Sequence, residues 1–109
     1  MINQILSFSK KLISLPSTKD NPQILKKVLE VALEEVKDFT PPFAKGGVTI
    51  ERFEKNGVPS ALIYKEKERP ERFKVILNAH LDVVSGKEEQ FKPYEKDGKL
   101  YGRGATDMK

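Results

Sequence analysis

Ile5, Phe8, Leu12 and Leu15 recur at steps of three and four residues, with Leu6 and Ile13 beside them. That spacing predicts a short amphipathic helix over residues 4–15. Pro16 stops it, and Ser17-Thr18 form a polar turn. A second, stronger helix begins at Asn21-Pro22. Asparagine caps free backbone N–H groups, and proline suits the first helical position because its missing N–H would have no partner there. Leu25, Val28, Leu29, Ala32, Val36 and Phe39 make one apolar stripe, with Lys27, Glu30, Glu34 and Lys37 away from its centre. Thr40-Pro41-Pro42 ends the helix.

The period then changes. Residues 48–54 are rich in β-branched and aromatic side chains, and Asn56-Gly57 is a strong tight-turn signal because both residues tolerate positive φ. Residues 60–64 read as the returning strand, so 48–64 is predicted to be a β-hairpin. The charged stretch 65–72 reads as a surface loop. Between Phe73 and Val84 lies an almost unbroken apolar run, Val75-Ile76-Leu77, which predicts an interior strand covered on both faces. Residues 85–98 are polar and read as irregular. Lys99-Leu100-Tyr101 reads as a short strand before Gly102-Arg103-Gly104-Ala105-Thr106-Asp107. With no internal repeat and no dividing linker, residues 1–109 are expected to form one α/β unit: two helices, a β-hairpin, then a buried strand in a mixed sheet.

Composition narrows this picture. The chain has 109 residues, 38% hydrophobic and 33% charged, which fits a globular protein with a modest core. Net charge is +4, from 20 basic and 16 acidic residues. The charges are interleaved, as in Lys65-Glu66-Lys67-Glu68-Arg69, and form no basic stripe that would track phosphates. Nucleic acid is therefore not an expected partner. Cysteine is absent, so disulfides and thiolate metal sites are excluded, and any metal falls to His, Asp or Glu. No apolar run approaches the roughly 20 residues of a membrane span. Met1-Ile2-Asn3-Gln4 lacks the basic-then-apolar layout of a signal peptide, and a cytoplasmic protein is expected.

The single histidine, His80, falls near the end of the expected interior strand, with Asp82 two residues on. Side chains at i and i+2 share one face of a strand, so both reach one pocket, with Asn78 one step back. Neutral imidazole binds zinc through one ring nitrogen, while a nearby carboxylate takes the other N–H and fixes the tautomer. The plainer alternative is a strand-end histidine hydrogen-bonded to its neighbours. Asp107 follows a loop with two glycines, which permit tight turns and close backbone approach. A carboxylate there either bridges two metal ions, one oxygen to each, or is a solvated group on an ordinary turn. Gly102-Arg103-Gly104 is not a nucleotide fingerprint, because the third glycine is missing.

Three stretches together carry a family resemblance. Asn78-Ala79-His80-Leu81-Asp82-Val83-Val84, then Phe91-Lys92-Pro93-Tyr94, then Asp97 to Lys109 resemble, in order and spacing, the two opening signatures of the zinc aminoacylase and carboxypeptidase family. That family includes succinyl-diaminopimelate desuccinylases, acetylornithine deacetylases and glutamate carboxypeptidases. The agreement covers residues 75–109; before that it is looser, although Leu15-Pro16-Ser17 after a first helix is also family-like.

The resemblance implies that His80 is a ligand to one zinc, that Asp82 is the catalytic-site carboxylate that orients and polarises His80, and that Asp107 bridges two zincs. It also implies a cis peptide after Asp107. Cobalt or manganese suits the same N/O donor set. The expected reaction is hydrolysis of an amide bond in a small N-acyl amino acid or a short peptide. The family's Glu-Glu pair, whose first Glu is the general base and whose second is a zinc ligand, and its remaining metal ligands, another acidic residue and a distant His, come from later in such a protein. Glu88-Glu89 precedes Asp107 and reads as solvated loop charge. The 109 residues are thus expected to be the N-terminal part of one catalytic domain, without the inserted dimerisation domain, inactive alone and prone to homo-oligomerise through an exposed sheet edge. The alternative is a non-catalytic α/β binding or assembly module that retains the signature.

Overall fold

A computed structural model describes residues 2–38 and 47–109. Helix α1 spans Ile2–Ile13 and α2 spans Pro22–Asp38. Pro22 occupies the first turn of α2 as expected, and the Asn21 carbonyl accepts the N–H groups of Ile24 and Leu25, both at 3.1 Å. On α2 the residues that become buried are Leu25, Val28 and Leu33, while Leu29, Ala32 and Val36 lie half-buried beside them. Leu33 extends the apolar stripe read from the spacing. The parts of that reading that fall on Phe39 and on Thr40-Pro41-Pro42 lie outside the described residues. Helix α1 starts and stops two residues earlier than predicted. It buries Leu12 and Ile13 at its end and leaves Ile2 and Ile5 exposed.

Strands β1 (Thr49–Lys55) and β2 (Val58–Tyr64) form the expected antiparallel hairpin, in register from Thr49 opposite Tyr64 to Lys55 opposite Val58. Asn56 at φ 52° and Gly57 at φ 78° close it. Two consecutive positive φ values define the turn whose twist matches the flanking strands. Strand β2 packs against α2, and α1 packs against α2. Glu51 stitches the loop after the hairpin to this layer: Arg69 donates two hydrogen bonds to its carboxylate at 2.7 Å each, and the Tyr64 hydroxyl donates a third at 3.0 Å.

The α/β reading, two helices followed by antiparallel strand pairs, describes the molecule. Two details differ. The run at 75–84 joins no ladder, and Val75, Ile76 and Leu77 are 73%, 66% and 92% exposed rather than interior. An apolar extended run is buried only when strands flank it. Here β1 pairs with β2, and a second hairpin, β3 (Tyr94–Lys96) with β4 (Lys99–Tyr101), pairs with itself. Among the described residues the sheets are therefore two separate antiparallel pairs, not one mixed sheet. The second detail is β3, which lies in the stretch read as irregular. Its turn, Asp97 at φ 52° and Gly98 at φ 73°, repeats the conformation of Asn56-Gly57, and Tyr94 stacks on Tyr101 across it with ring centroids 5.0 Å apart.

Candidate metal centre

Ser17 fixes the segment that carries His80. Its hydroxyl is buried and donates to the Leu81 carbonyl at 2.6 Å, while its own carbonyl accepts the Val83 N–H at 3.0 Å. Two bonds on alternate residues hold 81–83 as a short extended stretch against the turn after α1. This does locally what a neighbouring strand would do, and it keeps His80 and Asp82 on the same side.

The loop bearing Asp107 is fixed separately. Gly102 sits against Ile13, and a Cβ at Gly102 would overlap the Ile13 side chain. Further on, Asp107 and Lys109 both donate their N–H groups to the Gly104 carbonyl, at 3.2 Å each. Lys109 reaches back to the Leu15 carbonyl at 2.8 Å, and burial pushes its ammonium pKa down to about 8, with Asp82 acting in the opposite direction. The peptide after Asp107 is trans, not cis as the resemblance implied.

These two tethered segments meet at His80. Its Nδ1 lies 3.3 Å from Asp82 Oδ1 and 3.2 Å from the Asp82 carbonyl. Its Nε2 lies 3.4 Å from Asp107 Oδ2. The imidazole thus stands between the two carboxylates, one at each ring nitrogen. All three side chains are about half-exposed or more, at 45%, 65% and 68%. They open on a cleft of about 520 Å³ that Thr18, Lys19, Asp20, Ser85, Arg103 and Thr106 also line. Asn78 lies instead in a neighbouring groove between α2 and β2, which His80 and Asp82 also border.

The donor set suits a borderline cation such as zinc. Two ligands, each about 2.1 Å from one tetrahedral ion, stand roughly 3.4 Å apart, which is the separation of His80 Nε2 and the Asp107 oxygen. Asp82, on the far ring nitrogen, occupies the position of a group that accepts the Nδ1–H and leaves Nε2 free to bind metal. Among the described residues no group of three or more His, Cys, Asp or Glu side chains is arranged to hold an ion. Glu88 and Glu89 are exposed on the 3-10 turn Glu88–Phe91, with Glu88 within 4.0 Å of Lys92, and neither lines the cleft.

Sequence reasoning missed the tether at Ser17 and the contacts of Arg103 with Gln90. Ser17 had a weak signal in Leu15-Pro16-Ser17. Nothing in the spacing of Gln90 and Arg103 marks them as partners.

Comparison with known proteins places the last third of the chain. Residues 76–109 match the model of peptidase family M20/M25/M40. Over 97% of its length the chain is 33% identical to a succinyl-diaminopimelate desuccinylase of a Nitratiruptor species, covering 26% of that protein. Over 66% of its length it is 38% identical to the enzyme of the same name from Nautilia profundicola, covering 20% of it. A shorter stretch, 34% of the chain, is 46% identical to 10% of the N-formyl-4-amino-5-aminomethyl-2-methylpyrimidine deformylase of Bacillus subtilis. The chain spans about a quarter of the length of the first of these relatives.

Proposed function

We propose that this chain, a partial member of peptidase family M20/M25/M40 recognised through residues 76–109, supplies part of the metal site of a hydrolase. The hydrolase would cleave the amide bond of a small N-acyl amino acid or a short peptide. The observation that carries the reading is the placement of His80 between Asp82 and Asp107. His80 Nε2 and the Asp107 carboxylate would hold the metal, zinc in the first instance and two ions in the complete site. Bound zinc lowers the pKa of a coordinated water toward 7 and polarises a carbonyl. Asp82 acts on His80 alone: by accepting the Nδ1–H it fixes the tautomer and makes Nε2 a better donor. The names of the desuccinylase relatives support an acylated amino acid as substrate.

Hydrolysis also needs a group that takes a proton from water and returns it to the leaving amine. Among the described residues, no carboxylate other than Asp20, Asp82 and Asp107 lines the cleft. Asp82 and Asp107 are committed to His80 and the metal, and Asp20 sits on the turn before α2. We therefore read the 109 residues as inactive by themselves. The two-donor arrangement equally favours a second reading, a non-catalytic α/β module that keeps a metal-binding remnant.

The test is metal retention. Zinc titrated into the chain should bind with one site affinity that falls by at least about tenfold in His80→Ala and in Asp107→Asn. Unchanged occupancy in either variant would remove that residue from the site. Zinc binding without turnover of N-succinyl amino acids is expected of both readings. Turnover by the chain alone would reject the second reading and the assignment of an incomplete site together. The exposed run Val75-Ile76-Leu77 is also an unpaired apolar stretch outside both sheets, and such exposed apolar surface joins other chains. Self-association in sedimentation, weakened by Leu77→Lys, is the expected behaviour, and a monomer at high concentration would contradict it.

A further inference from the structure

Arg103 lines the same cleft as His80 and Asp107, and its surroundings hold it in one orientation. Its Nη2 donates to Gln90 Oε1 at 2.9 Å, and its backbone N–H donates to the Gln90 carbonyl at 2.7 Å. Gln90 is itself pinned, because the same Oε1 accepts the Lys87 N–H at 2.8 Å. The guanidinium lies against Gly86, where a Cβ would come within 2.9 Å of both Nε and Nη2. Its Nε is enclosed and makes no hydrogen bond.

The charge of this group is not compensated. Arg52 pairs with Glu30 and Arg69 with Glu51, whereas among the described residues Arg103 pairs with no carboxylate. Gln90 offers a neutral oxygen, which orients the guanidinium without cancelling its charge. Arginine does not release its proton in a protein, so a fixed cation stands on the cleft wall. A planar fork held in place loses little freedom when it takes a carboxylate, and that is the ligand its geometry matches. The other charged groups of the cleft sharpen the assignment. Asp20, Asp82 and Asp107 repel an anion, and Lys19 is the only other cation lining it among the described residues.

We propose that Arg103 is the carboxylate-binding residue of this cleft, taking the carboxylate of a small organic acid bound beside His80 and Asp107. The inference rests on reading the cleft as a substrate site, but not on any metal, and its test is made in chelator so that the two fail separately. The probe is succinate, with succinamide as its uncharged counterpart, titrated into the whole chain and followed by heteronuclear NMR. Succinate should move the Arg103 Nε–H signal and the Gly102 and Gly104 amides saturably, and succinamide should not. Arg103→Gln should weaken binding at least about tenfold, because a charge-assisted bond is lost. Gln90→Ala keeps the charge but frees the side chain, and should weaken it by about threefold. Lys19→Ala should leave it within about twofold. Arg103→Lys serves where Arg103→Gln loses its dispersed spectrum, and should bind more weakly than the parent because the fork is gone. No saturable shift, equal shifts from succinamide, parent-like binding by the Arg103 variants, or loss of binding in Lys19→Ala instead would each overturn the proposal.

Discussion

Residues 2–38 with 47–64, and residues 65–109, are two kinds of structure. Every buried side chain among the described residues, from Leu12 to Tyr64, lies in the first region. The second region buries none, yet it carries His80, Asp82, Arg103 and Asp107. The first region is held by packing of α2 on β2. The second is held by a few specific bonds: Ser17 to Leu81 and Val83, Lys109 to Leu15, and the Gly102 backbone against Ile13. Stability and candidate chemistry are thus carried by different residues. The joints that fix the site segments fall at the end of α1 and the turn that follows, while Arg69 and the Glu66 carbonyl tie the loop after the hairpin to β1. The two regions should therefore respond differently to substitution.

The largest effect belongs to the packed region. Leu33 is 1% exposed at the centre of the α2 face. Leu33→Ala should cost roughly 2–5 kcal/mol, the sum of lost burial and the cavity left behind. For a small domain with about 5 kcal/mol in total, that is enough to unfold much of the population. Chemical denaturation followed by circular dichroism measures it. A cost below about 1 kcal/mol would mean that α2 does not organise the core.

The same contrast explains what was legible in the sequence. Helix spacing, the Asn21-Pro22 start and the Asn56-Gly57 turn are local signals, and the packed region follows them. The run at 75–84 is not local in this sense. Val75-Ile76-Leu77 records an apolar demand, but a strand exists only where another strand offers its backbone groups, and here both hairpins are already paired. Asp97-Gly98 carried the same turn chemistry as Asn56-Gly57, but the strands around it are only three residues each, too short for alternation to show. At the candidate site, the i, i+2 spacing placed His80 beside Asp82 correctly. The approach of Asp107 to the other ring nitrogen depends on how the Gly102–Asp107 loop returns, and no spacing along the chain encodes that.

A smaller effect should follow from cutting one joint. Ser17→Ala removes the donor to Leu81 and leaves a carbonyl without its partner, a cost of about 1–2 kcal/mol. The loss should be local. Exchange of the Val83 N–H should quicken, while amides in the middle of α2 keep their protection. Equal acceleration in both places would show that the site segment and the core open as one unit, and would erase the distinction between the regions.

The smallest effect concerns the exposed ion pairs made by Glu30 and Glu51, the two carboxylates anchored on α2 and the first hairpin. The Arg69 hydrogen bonds, working against desolvation and with help from the Tyr64 hydroxyl, hold the Glu51 carboxyl below its ordinary value of 4.5. The Arg52 hydrogen bonds do the same for Glu30, which lies across from it on α2. A carboxyl whose folded pKa is depressed favours folding while it is ionised. That contribution is complete above the unfolded value near 4.5 and disappears as pH falls through the lower folded values. Stability should therefore be flat from pH 7 to about 5 and decline below about 4.5, with a smaller decline in Glu51→Gln. Both pairs are exposed and screened by salt, so the decline should shrink further in high salt. Thermal melts at a series of pH values, with and without added salt, would measure it. The His80 cleft should not share in this loss of stability, because Glu30 and Glu51 bond to Arg52, Tyr64 and Arg69 and none of these residues lines the cleft. If acid instead released the 81–83 segment first, seen as early loss of Val83 protection, the ion pairs would be acting on the tethered region and not on the packed one.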